Sequence, residues 1–392
     1  MDGSRQQAGI RVTRAEAIAD VDAADWNRLA GDLWPFLRHE FLAASEASGC
    51  VSVDSGWQPR HLVAQNADGR VVGALPLYLK EHSWGEFVFD WAWANAYARA
   101  GFDYYPKLVS ATPFTPATSR RLLVENDADG TIAAALLDAA IAEARDGGLS
   151  SLHVQFPTDA ERPALTRAGL KLRKDCQFHW HNRGYADFDA FLAEFSSRKR
   201  KKARRDRRAV AEQGIRFRRL AGGDLDDALW ESVYLLLSTT FLRRGSLPYL
   251  DLRFFRRFAA ARPSDLLVVL AERRGTPVAA ALFFVGRERL YGRYWGSDGH
   301  YDALHFETCY YQGIEYCIDH GLAVFEPGTQ GEHKVSRGFT PIETWSAHWL
   351  AHPEFFDAIA RYLDEEGRHI ERYIDSVEAH SPYRRDGRRG EP

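Results

Sequence analysis

The chain has no run of apolar residues near the roughly 18 that a membrane span requires, and its polar start, Met1-Asp2-Gly3-Ser4-Arg5, does not read as a secretory leader. It is poor in cysteine. Cys50, Cys176, Cys309 and Cys317 are the only four, and none forms a Cys-x-x-Cys pair. That pattern argues against a disulfide framework, and the four read as reduced thiols of a cytoplasmic protein. His305 with Cys309, and Cys317 near His320, lack the further ligands of a closed zinc site, so no metal is expected. The formal net charge is only −3 over 392 residues, so total charge names no partner and its distribution has to be read instead. Apolar material is plentiful: 45% hydrophobic and 13% aromatic residues suffice for two cores, as the length also suggests.

The two halves echo each other at an offset of roughly 205 residues. Gly9-Ile10-Arg11-Val12 is matched by Gly214-Ile215-Arg216-Phe217, Trp26 by Trp230, the turn Asp68-Gly69 by Arg274-Gly275, and Trp91 by Trp295. Each half is therefore expected to be one copy of the same fold, with a two-substrate cleft between the copies.

In the first half a short strand at 11–12 precedes a helix over 24–47. A hairpin of 61–65 and 71–79 follows across the Asp-Gly turn, with a third strand at 86–91. After an aromatic insertion over 95–118 come a helix at 131–145, ending near Gly147-Gly148, a strand at 152–156, a short helix at 161–167 and a strand through 176–181. The second half repeats the order. Helices are expected at 225–242 and 252–260, strands at 266–271, 278–285 and 289–295, and a helix from about 304 to 320. A strand at 323–326, a short helix at 332–337, a strand at 344–349 and a terminal helix at 354–377 follow. The domains are then 1–185, a basic helix at 186–213, a second domain at 214–352, a C-terminal helix at 353–380 and a disordered tail at 381–392.

This is an α+β order, each domain a mixed, mostly antiparallel sheet flanked by helices. It resembles the GNAT acyltransferase fold present twice, as in the Fem-type aminoacyltransferases that attach amino acids to peptidoglycan precursors. Several motifs carry a closer resemblance. They are Gly85-Glu86-Phe87-Val88-Phe89-Asp90-Trp91, Tyr104-Tyr105-Pro106-Lys107-Leu108 and Pro113-Phe114-Thr115-Pro116 in the first half. Leu304-His305-Phe306-Glu307, Cys309-Tyr310-Tyr311-Gln312-Gly313 and Gln330-Gly331-Glu332-His333-Lys334 with Arg337-Gly338-Phe339 are those of the second. Together they look like the FemAB-like family of N-acyltransferases, over nearly the whole chain.

An acetyl-CoA enzyme of this fold needs a Gly-rich loop whose N–H groups hold a pyrophosphate at a helix N-terminus. The first half has none. Arg293-Tyr294-Trp295-Gly296-Ser297-Asp298-Gly299 stands in the right place but carries one residue too many and a carboxylate, so a plain strand-to-helix turn is expected. Between the halves, Arg198 to Arg208 is basic apart from Ala203 and Asp206. With Phe188, Phe191, Leu192 and Phe195 as its anchor, the segment 186–213 should be one helix, basic on every face beyond its first turns. Like charges at i,i+4 destabilise it unless an anion neutralises them. Arg198, Lys199, Lys201, Lys202, Arg204 and Arg205 are the candidate contacts to a nucleic-acid backbone or another anion; a solvated arm is the alternative.

Amide formation requires a polarised carbonyl, a base for the amine and near-attack geometry. Glu326 at a strand end and His333 in the short helix after Gly328-Thr329-Gln330-Gly331 are candidate bases, with Asp90 a further one. Gln330, Lys334 and Arg337 are candidates for substrate charge, as are Arg293, Trp295, His305 and Glu307. Glu86, Trp91, Tyr104, Tyr105 and Lys107, in or beside the insertion, are candidates for the acceptor. Tyr310 and Tyr311 are expected to pack. The resemblance implies an N-acyltransferase with aminoacyl-tRNA as co-substrate, no bound cofactor, and an amine acceptor such as a peptidoglycan precursor or a small metabolite. An acyl-CoA or acyl-carrier donor, and a non-catalytic nucleic-acid or envelope-precursor binder, are the alternatives.

Overall fold

The computed structural model describes residues 5–7, 9–329 and 331–384. The chain forms two compact units that do not follow its linear halves. One comprises Met1–Asp175, Tyr249–Ala261 and Glu343–Glu371; the other Cys176–Pro248, Arg262–Ile342 and Arg372–Pro392. The boundaries 1–185 and 214–352 are therefore replaced by units that each borrow chain from the other half.

In the first unit, the strands Ile10–Ala15, His61–Gln65 and Val71–Leu75 are antiparallel neighbours, with the two-residue strand Leu123–Val124 beyond. A second group runs Trp57–Pro59, Tyr78–Lys80, Lys107–Ser110 and Ser151–Gln155. Its last pair is parallel, and the connection between them passes through the helix Thr131–Asp146. The strand beside Ser151–Gln155 comes from the far end of the chain: Leu350 pairs with Ser151 and Ser346 with Gln155. Leu136, Leu137, Ala140, Leu152, Val154 and Ala347 lie in the core of this unit.

The second unit repeats the plan. Ile215–Ala221, Leu266–Arg273, Thr276–Val285 and Arg289–Ser297 are successive antiparallel neighbours. Arg289–Ser297 is parallel to Val324–Glu326 through a helical connection over 304–319. Here too the next strand is borrowed, with Trp180 opposite Phe325 and His181 opposite Val324. The repeat is thus real. Gly9 and Gly214 both take positive φ, 79° and 74°, just before the matching strands Ile10–Ala15 and Ile215–Ala221. Trp26 and Trp230 are both buried, in the helices Ala23–Ala30 and Asp227–Leu242.

The echo of Trp91 by Trp295 is not structural. Residues 86–90 are not a strand, and Trp91 opens the helix Trp91–Arg99, whose Trp93 and Tyr97 are buried at i,i+4. The counterpart of Arg289–Ser297 is Lys107–Ser110, so the segment without a counterpart runs over 81–106 and Lys107 lies on a strand. The helix expected at 24–47 is broken between Ala30 and His39. The basic segment forms two helices, Phe188–Ala193 and Ser197–Glu212. Of the tail, 385–392 lies outside the described residues, but Tyr383 is fixed: its hydroxyl donates to the Gly338 carbonyl at 2.8 Å and its ring packs on Phe195. No helix of the described residues is long and apolar enough to cross a membrane.

Candidate functional site

The second unit's parallel strands bring the chain to Glu326, with Tyr291 opposite. The chain then turns through Pro327 and Gly328 into the short helix Glu332–Arg337. At Gly331, φ is 118° and a β-carbon would lie 2.3 Å from the His333 ring, so only glycine lets that ring fold back over the turn. His333 is exposed, and its Nε2 lies 2.8 Å from the Tyr310 hydroxyl. Partial burial, with Lys334 and Arg337 nearby, lowers its pKa below the usual histidine value, so the ring is neutral at pH 7. Tyr310 therefore does more than pack.

Lys334 points inward and donates to the Gly328 carbonyl at 2.6 Å. Burial, reinforced by Arg293, brings its pKa down to about 7. Arg337 donates to the His333 carbonyl at 2.7 Å and covers the Phe306 ring at 3.3 Å from the centroid. Arg293 is the extra residue at a break in strand register, where Leu282 pairs with Tyr294 but Phe283 pairs with Gly292. Its guanidinium donates to the Gly292 carbonyl at 2.8 Å, and burial lowers its pKa to about 10.

Glu326 is 1% exposed. One carboxylate oxygen accepts from Arg289 at 2.9 Å; the other has no hydrogen-bond partner among the described residues, with His179 Nε2 at 3.8 Å. Burial raises its pKa, while Arg289 and Arg293 pull the other way. It is the buried counter-ion of these arginines, whereas His333 is the exposed one of the two candidate bases in this unit. The sequence reading missed Arg289 and His179. Glu307 is also buried, bound by Arg207 and by Gln312 at 2.7 Å, and so is not an open substrate contact. His305 packs edge-on to Trp295 and Tyr310, and burial together with His333 takes its pKa to about 4. Beside it a cleft of about 420 Å³ is lined by Arg243, Trp295, His300, Tyr301, His305 and Phe306. Gln330 lies outside the described residues.

The expected turn over 293–299 is strand as far as Ser297, and several of its main-chain groups are bonded within the unit. A β-carbon on Gly296 would lie 1.7 Å from the Leu236 carbonyl oxygen, so the helix Asp227–Leu242 presses directly on this backbone. Thr240 donates to the Trp295 carbonyl at 2.6 Å, Ser297 N–H donates to Thr239 at 3.2 Å, and Asp298 N–H to the Val278 carbonyl at 3.0 Å. In the first unit, the N–H groups of Ile132 and Ala133 donate to Asp127 and that of Thr131 to Asp129. Carboxylates thus occupy the helix N-terminus that an anion would need.

The first unit gathers several of the expected acceptor residues into a closed network. Lys107 donates to Asp90 at 2.5 Å, Glu86 at 2.9 Å and Ser83 at 2.8 Å, all buried. Tyr104 donates to Asp90 at 2.7 Å, and its oxygen is 3.1 Å from His153 Nε2. His153 Nδ1 meets His348 Nδ1 at 2.6 Å, and Gln155 donates to Glu86 at 2.7 Å. Burial would raise the Asp90 pKa, but Lys107 and His153 outweigh it and hold it at about 2, too low for the proposed base. Tyr105, bonded to Ser83, and Trp91, edge-on to Trp84, stand at the margin.

The helix Ser197–Glu212 is not basic all round. Ala203, Asp206, Arg207 and Val210 make an inward face at i, i+3, i+4, i+7. Arg207 there binds Glu307 and Glu315, and Asp206 faces Arg337 at 3.9 Å. Arg204 is paired with Asp189 at 2.9 Å. Arg198, Lys199, Lys201, Lys202 and Arg205 make no ion pair among the described residues, although like charges line their face.

Two units, each with a parallel strand pair crossed by a helix and flanked by antiparallel strands, define a tandem GNAT-like fold. The sequence matches the model of the FemAB-like family, described as peptidoglycan biosynthesis/recognition, over residues 17–385, and the chain belongs to that family. Among solved structures it is similar to FemX, with a TM-score of 0.54 and 14% identity over 87% of this chain and 98% of that one. It is also similar to L-PGS from Bacillus licheniformis, with a TM-score of 0.50 and 11% identity over 85% of this chain and 98% of that one. At such identities the likeness is one of fold. Comparison with curated proteins gives no match.

Proposed function

We propose that the protein is a cytoplasmic N-acyltransferase that moves an aminoacyl group from aminoacyl-tRNA to the amine of a peptidoglycan precursor. The observation that carries this reading is that the N–H groups of Ser297 and Asp298 in the second unit, and of residues 131–133 in the first, are already bonded within the protein where a CoA pyrophosphate would be held. The uncompensated basic face of Ser197–Glu212 supports it, since phosphate contacts would offset the repulsion along that face. The family description supports the acceptor, and a small metabolite amine fits the same chemistry.

In this reading His333 is the base. The tautomer that donates Nε2–H to Tyr310 leaves the Nδ1 lone pair open to take a proton from the attacking amine. The amine nitrogen bonds to the ester carbonyl carbon, and the C–O bond to the ribose breaks. His333 then returns the proton to the departing ribose oxygen. Lys334, buried with one N–H on the Gly328 carbonyl, adds positive charge beneath the developing oxyanion.

The test is aminoacyl-tRNA binding as a function of salt, for the wild type and for a variant with Lys199, Lys201, Lys202 and Arg205 all changed to Glu. Tight binding that weakens steeply with salt and collapses in the variant is expected. No binding at low salt overturns the donor and reassigns the basic face to the acceptor.

A further inference from the structure

The helix over 304–319 is irregular where it meets the site. Residues Glu307–Tyr311 form a π turn, closed by the Gln312 N–H donating to the Glu307 carbonyl. Such a turn inserts one residue into the helix, and it survives only where something holds it. Here the same two residues are joined again by their side chains: Gln312 Nε2 donates to Glu307 Oε1 at 2.7 Å, spanning the turn. Glu307 is buried, and its ionised form is disfavoured there unless a cation compensates. Arg207 is that cation, 3.1 Å from both carboxylate oxygens, and its other bonds reach Glu315 one helical turn beyond Gln312. Tyr310 sits inside the turn. Were it to relax to α-helix, the residues before it would rotate by about 100° relative to those after, since one residue advances an α-helix by that angle. The hydroxyl would then leave His333.

We propose that Arg207 and Glu307 are positioning residues, which hold the π turn and thereby set the Tyr310 hydroxyl on His333. This rests on His333 being the base. Arg207 is the inward-facing member of an otherwise outward-facing basic series, so its role differs from that of its neighbours although its residue type does not.

The experiment is an NMR titration of the His333 ring, which needs no turnover. The groups facing that ring are Tyr310 and His305 from the helix and Lys334 and Arg337 from its own turn. Tyr310→Phe should shift the midpoint, Arg207→Met should shift it equally, and the double variant should shift it no further. Arg207→Lys, which keeps the charge but not the two-pronged contact, should give an intermediate shift. Arg183→Met, which removes a surface ion pair to Glu194 in the same unit, should leave it unmoved. An unchanged midpoint in both Arg207 variants, or additivity with Tyr310→Phe, overturns the proposal. So does an equal shift in Arg183→Met, which would report general loosening. In an aminoacyl-transfer assay, Arg207→Met should lose about tenfold in kcat with KM kept, with partial recovery in Arg207→Lys. A wild type that transfers nothing overturns the donor reading while the titration still decides this one.

Discussion

His153 and His348 meet ring nitrogen to ring nitrogen at 2.6 Å inside the first unit, so one Nδ1 must donate and the other accept. The accepting ring cannot take up a further proton without breaking that bond, because its one lone pair is the acceptor. Burial, with Lys107 nearby, brings His153 to about 3, and burial with His153 takes His348 well below the usual value. In the unfolded chain both titrate near 6.5. As pH falls below that value the unfolded state binds protons that the folded state refuses, so stability is lost. Each such histidine contributes up to about 1.4 kcal/mol per pH unit. Glu86, Glu307 and Glu326, raised by burial, oppose this nearer the carboxylate range. Urea midpoints measured from pH 7 to pH 5 should therefore decline in the wild type and decline less steeply in His348→Gln; parallel slopes would contradict this. Single residues were unevenly legible. His333, Lys334 and Arg337 were marked by the glycines that bracket them. Glu307 read as a substrate contact because Arg207, the partner that buries it, lies far away in the sequence. Asp90 read as a base for the same reason, with Lys107 and His153 out of view. His179 and Arg289 stood in segments that carried only a strand signal.

Among the elements, the strand Arg289–Ser297 and the helix Asp227–Leu242 touch at Gly296 without a side chain between them. Gly296→Ala would push against main chain rather than against a flexible side chain. It should destabilise the protein by on the order of 3 kcal/mol, measured by urea denaturation, whereas Gly299→Ala, with its nearest neighbour at 3.6 Å, should cost far less. The hairpins were legible because Asp68-Gly69 and Arg274-Gly275 mark their turns and the flanking apolar runs are long. The segment 86–91 was not, since Phe87-Val88-Phe89 and Trp91-Ala92-Trp93 both imitate strand alternation. The helix Trp91–Arg99 is decided instead by the burial of Trp93 and Tyr97. The basic segment was legible as helix and as a charged surface, yet its inward face depended on Glu307, Glu315 and Arg337, which no local pattern displays.

For the whole molecule, the repeat could be read from the sequence, but the borrowing of strands could not. A strand's neighbour is set by pairing across the chain, and Cys176–His181 carries the same apolar signal whichever partner it takes. A fragment of residues 1–185 would lack Glu343–Glu371, leaving Ser151–Gln155 as an open edge, and would also lack the helix Leu252–Ala261, whose Phe254 and Phe258 pack on Phe41. It should fail to give a dispersed, cooperatively unfolding species by size exclusion and circular dichroism, despite holding nearly one full repeat. The order of synthesis is constrained accordingly. Domains commonly fold one after another as they leave the ribosome. Here the unit that begins at the N-terminus cannot close until Glu343–Leu350 has been made, by which time most of the other unit has emerged. Its nascent form must keep the edge at Ser151–Gln155 unpaired throughout, so a pause in translation between Asp175 and Glu343 would leave the chain open to strand addition by a second copy of itself.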